Sequence, residues 1–108
     1  MNKKIYDLTN PQKSILLTEE FYKGTNVNNI CGTAIIENEL NFELLQKAIY
    51  IFIKNNDSFS LKLTLNNNEA KQYLDDNGNI NIPIIDINSK DELTALEHKV
   101  MNKVFDIY

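Results

Sequence analysis

The chain holds one histidine, His98, and one cysteine, Cys31, so acid-base, nucleophilic or soft-metal chemistry of the commonest kinds has to run through them. An imidazole changes charge near neutral pH and serves as a general base or a metal ligand. His98, however, falls on a predicted helix well away from the apolar stripe Leu93, Leu96, Val100, where a histidine is solvated, and it lacks partners along the chain. Cys31 has no neighbouring His or Lys to stabilise its thiolate and sits in an apolar run, which reads as a small buried hydrophobe. The run Asp75-Asp76-Asn77-Gly78-Asn79 resembles part of a calcium loop. Placing Gly78 at the sixth position puts Tyr73 first and Ile84 last, where both should be acidic, so the run reads as an Asx-Gly turn. Glu19 with Glu20, and Asp91 with Glu92, are adjacent carboxylates; helix neighbours point in different directions, so neither is an acid and base pair. Asp91 and Glu92 instead sit where a helix N-terminus favours negative charge. The Asn56-Asp57-Ser58 triplet fits the N-glycosylation pattern but has no secretion signal to accompany it. No catalytic, cofactor-binding or metal-ligating residue is therefore assigned.

The elements around these residues are legible from their punctuation. Thr9 and Gln12 have capping-box spacing and Pro11 sits in the first turn, which predicts a helix from about Asn10 to Tyr22 that Gly24 ends. Its expected inner face is Pro11, Ile15, Thr18 and Tyr22, widened by Leu16, Leu17 and Phe21. Asn29 to Glu37 is apolar at both parities and β-branched, the pattern of a strand covered on both faces. Asn41 caps a second helix with Leu45, Ala48, Ile49 and Phe52 at helical spacing, ending near residues 54–56. Phe59, Leu61, Leu63 and Leu65 alternate with Ser60, Lys62 and Thr64, which predicts a half-buried strand with the leucines and Phe59 inward. Asn66 to Asn68 form a turn, Glu69 to Leu74 return as the hairpin partner, and Ile80 to Ile87 read as a further strand with a bulge or edge near Pro83. Ser89 with Glu92 is a second capping box, opening a helix with the stripe Leu93, Leu96, Val100, Val104. The order expected is α-β-α-β-β-β-α, an α+β fold with helices on a mostly antiparallel sheet.

Composition narrows the class of partner. With 108 residues, 43% apolar and 24% charged, the chain suits one soluble domain with a modest core. Its net charge of -4 arises without a single Arg, the residue that grips phosphates and guanine edges most specifically, so nucleic acid is a poor match. No apolar run is long enough for a membrane span or a signal-peptide core, and one cysteine allows no internal disulfide. These features favour a cytoplasmic protein.

Three segments, in order, resemble the start of a condensation domain of nonribosomal peptide synthetases. Ile5-Tyr6-Asp7-Leu8-Thr9-Asn10-Pro11-Gln12 through Leu17 is similar to the first conserved segment, in which Leu-Ser/Thr, Gln and an apolar helix follow an aromatic. Lys54-Asn55-Asn56-Asp57-Ser58-Phe59-Ser60-Leu61-Lys62-Leu63 resembles the second, Arg-His-Glu-x-Leu-Arg-Thr-x-Phe; Asp57, Phe59 and Lys62 match conservatively, whereas Asn55, Asn56 and Ser60 depart from it. Val104-Phe105-Asp106-Ile107 looks like the family's Phe-Asp-Leu element.

The resemblance implies that residues 1–108 are a truncated N-terminal portion of such a domain, within a lobe of chloramphenicol-acetyltransferase type. The parent would join carrier-bound acyl and aminoacyl thioesters into amides. Carrier proteins would be its partners, and phosphopantetheine would arrive on those carriers. The family's catalytic His-His-x-x-x-Asp-Gly would lie beyond Tyr108, so these residues are expected to be scaffold and inactive alone. Two alternatives share the early features: an epimerisation or other acyltransferase domain of the superfamily, and a free-standing interaction module. An apolar strand with too few helices to cover it also leads to the expectation of a homo-oligomer through an exposed sheet surface.

Overall fold

A computed structural model describes residues 3–76 and 78–108. They form three helices and a three-stranded antiparallel sheet, the α+β class expected. The chain divides into two compact units, one of residues 1–8, 37–83 and 107–108, the other of residues 9–36 and 84–106.

The first unit carries the sheet. Strand β1 (Ile5–Asp7) pairs antiparallel with β3 (Glu69–Leu74), and β3 pairs with β2 (Leu61–Asn66), in the spatial order β1-β3-β2. The hairpin register runs from Leu61 opposite Leu74 to Asn66 opposite Glu69, which leaves Asn67 and Asn68 as a two-residue turn. Both have positive φ, 51° and 62°, the left-handed pair that a tight hairpin requires and that Asn tolerates better than most residues. Along β2, Leu61 and Leu63 are half-buried and Lys62 is exposed, as the alternation predicts; Leu65, nearer the turn, is exposed. The α2 helix (Phe42–Lys54) starts where the Asn41 side chain accepts the Leu44 amide.

Phe59 is the first departure. It lies in a 3-10 turn, Asp57–Ser60, ahead of β2, and is 56% exposed. The Phe59 amide donates to the Asn56 carbonyl at 3.1 Å, so a local turn replaces the first rung of the expected strand. Its ring stacks edge-on against Phe52, with centroids 5.7 Å apart.

The second unit carries α1 (Asn10–Phe21) and α3 (Lys90–Met101). The Thr9–Gln12 capping box forms in full: the Gln12 amide reaches the Thr9 hydroxyl, and the Gln12 side-chain carbonyl accepts the Thr9 amide at 2.8 Å. Gly24 takes φ +80° beyond the helix end, a conformation available to glycine at little cost. At α3 the Ser89 hydroxyl accepts the Glu92 amide, while the Glu92 carboxylate accepts the Asn88 amide rather than that of Ser89. The inner row of α1 differs from expectation: Leu16 is buried, with Gln12 and Glu19 half-buried one turn to either side, whereas Ile15 is 55% exposed. On α3, Leu93 and Leu96 are half-buried, Val100 is exposed, and Val104 lies past the helix end.

Two expected strands are absent among the described residues. Asn29 to Glu37 has no ladder, and Ile30 is 99% and Ile35 81% exposed. Ile80 to Ile87 likewise lacks one. A strand exists only by pairing, and neither segment joins the sheet; Pro83 also removes one donor from the second. Conversely, the sequence pattern gave no notice of β1, because three residues are too few to display a period. The observed order is therefore β-α-α-β-β-α instead of α-β-α-β-β-β-α. The turn expected at Asp75 to Asn79 includes Asn77, which lies outside the described residues.

Candidate functional site

A hollow is found among the described residues of each unit. In the first, α2 and the extended stretch at residues 80–82 enclose about 590 Å³, with Gln46, Tyr50 and Ile51 on the helix side and Ile80, Asn81 and Ile82 opposite. The Gln46 side-chain amide donates to the Ile82 carbonyl at 2.8 Å and holds the stretch against the helix. At its rim Lys47 and Glu43 form an i,i+4 ion pair at 3.0 Å, exposed on both sides and so worth a few tenths of a kcal/mol, about the usual for such pairs. Gln46, Lys47 and Glu43 are each already paired with the protein's own atoms, and the isoleucines opposite suit packing better than proton transfer.

The hollow of the second unit, about 310 Å³, is lined by Cys31, Gly32 and Thr33 from the extended segment and by Glu97, His98 and Met101 from α3. Two tethers create it. The Asn29 amide donates to the Met101 and Lys103 carbonyls, both at 2.7 Å, and the Thr33 hydroxyl donates to the Glu97 carboxylate at 2.7 Å. The Asn26 amide adds bonds to the Met101 carbonyl and the Asn102 side chain. Together these amides satisfy carbonyls that the end of α3 would leave to water. Cys31, midway between the tethers, thus comes to share a hollow with His98 although 67 positions separate them.

That juxtaposition was not legible in the sequence, where each residue is assessed against its own neighbours. His98 is exposed as expected, and Cys31 is half-buried. Among the described residues no three His, Cys, Asp or Glu side chains stand close enough to hold a metal ion together. Two of the carboxylates considered as acids or bases are spent on structure: Glu19 accepts from the Asn28 side-chain amide at 2.9 Å and Glu92 from the Asn88 backbone. Asn56 likewise uses its side-chain amide to reach the Phe52 carbonyl.

A marked electrostatic effect lies in the sheet. Lys71 on β3 meets Asp7 of β1 at 2.6 Å and Glu69 at 2.9 Å. Hydrogen bonds to the Asp7 and then the Glu69 carboxylate raise its pKa above the ordinary 10.5. Beside it, the buried Gln72 side-chain amide donates to the Asp7 carbonyl at 2.8 Å. Both contacts clamp the short β1 to its neighbour and present no free reactive group.

The three segments noted in the sequence occupy definite places: the first spans β1 and α1, the second runs from the end of α2 through the 3-10 turn into β2, and the third follows α3. The condensation-domain family profile matches residues 2–108. The chain belongs to the condensation-domain family. Over 72 residues it is 38% identical to surfactin synthase subunit 1 of Bacillus subtilis (strain 168), a stretch that covers 64% of this chain and 2% of that relative. No solved structure matches the chain.

The His-His-x-x-x-Asp-Gly pattern does not occur within these 108 residues, whose single histidine is followed by Lys99. His98 is exposed on α3 and matches no part of it. No helix of the described residues is long and apolar enough to cross a membrane.

Proposed function

We propose that these residues build scaffold in the first, chloramphenicol-acetyltransferase-type lobe of a nonribosomal peptide synthetase condensation domain. The whole protein forms amide bonds: the amine of an aminoacyl thioester attacks an acyl thioester, a C–N bond replaces a C–S bond, and a carrier thiol leaves with the proton. The observation that carries this reading is the family match across residues 2–108, reinforced by 38% identity to the surfactin synthase subunit. The partners are carrier proteins. Their phosphopantetheine arms belong to the incoming substrates, and no side chain here is assigned to hold them. The protein acts in the cytoplasm, where its carriers are loaded.

Two experiments test the reading. In the encoding gene, an in-frame His-His-x-x-x-Asp-Gly segment some tens of codons beyond Tyr108 supports it, and an immediate stop overturns it. Mixed with loaded donor and acceptor carriers, the 108 residues alone should leave both thioesters intact, while the complete gene product should free the donor carrier's thiol and leave a condensed product as a thioester on the acceptor carrier. Condensation by the 108 residues alone would show that the chemistry resides within them.

A further inference from the structure

We draw no further inference here: the strongest candidate, the exposed apolar face of α2 around Leu44, Ile51 and Phe52, carries nothing because no feature of the structure shows what covers it.

Discussion

The two units are held by different kinds of hydrogen bond. In the first, main-chain ladders tie β1, β3 and β2 together in unbroken register. In the second, side-chain amides do the work at the end of α3, where Asn26 and Asn29 bond to the Met101 carbonyl and Asn29 also reaches that of Lys103. A ladder tolerates most side chains because its donors are backbone. An amide tether fails with a single substitution. The second unit should therefore be the more fragile to polar mutation, and the first more sensitive to changes in turn geometry.

The largest effect belongs to the few buried apolar side chains. Leu8 at 6% and Leu16 at 9% exposure are the buried hydrophobics among the described residues. Leu16→Ala should cost about 2 to 5 kcal/mol in urea unfolding, against roughly half a kcal/mol for Ile15→Ala. This pair also tests the orientation of α1, since the apolar pattern alone puts both side chains on the inner face. Leu61, expected from its alternation to be fully inward, is only half-buried. Its alanine variant should accordingly cost about 1 kcal/mol, near half the value of a fully buried leucine.

Next come the tethers and the turn. Asn29→Ala removes two bonds of 2.7 Å and should cost about 1 to 2 kcal/mol, as two ordinary hydrogen bonds do. Asn29→Asp should lose as much, because it keeps the size but not the donor. For the first unit, Asn68→Val forces a β-branched residue to the left-handed φ of 62° and should cost about 1 to 2 kcal/mol. Asn68→Gly should cost nothing and restores the commonest hairpin pair. Hydrogen exchange of the β2 and β3 amides reads this contrast locally: loss of protection with valine and none with glycine.

A smaller effect is set by pH. The Lys71 pKa is raised in the folded protein by Asp7 and Glu69, so its contribution is complete below the unfolded value near 10.5 and is lost as pH rises through the folded value. The difference in urea midpoint between the parent chain and Lys71→Met should stay constant from neutral pH into the mildly alkaline range and shrink above it. A difference that vanished at neutral pH would show that the clamp on β1 has another origin.

What could be read from the residues alone follows the distance over which each element is determined. The three helices and the hairpin rest on local signals: Thr9 with Gln12, Asn41, Ser89 with Glu92, and the Asn67-Asn68 pair all act within four residues. The bounds of α1 and α2 fell within one or two positions, the α3 stripe was read on to Val104 although that helix ends at Met101, and the β2 alternation held at Leu61, Lys62 and Leu63. The segments at 29–37 and 80–87 read as strands because composition reports a preference for extended structure, but pairing is a non-local event that composition does not contain. Strand β1, too short to display a period, also depends on a partner more than sixty residues away. The family was legible from the resemblance of three segments to known ones, while the hollow shared by Cys31 and His98 depends on tethers from Asn29 and Thr33 that no local rule foretells.

The smallest effect should be that of His98→Ala. The side chain is exposed on the last turn of α3, and alanine is the better helix former by roughly half a kcal/mol, which offsets the loss of a favourable side chain near the helix C-terminus. Stability should therefore change by no more than about half a kcal/mol. The contrast with Asn29→Ala matters more than the value itself, because both residues stand at the same end of α3 and only Asn29 bonds to its carbonyls. If His98→Ala proved as costly as Asn29→Ala in the same urea titration, the hollow it shares with Cys31 would be a structural joint, and the division of labour between tether and solvated lining would have to be redrawn.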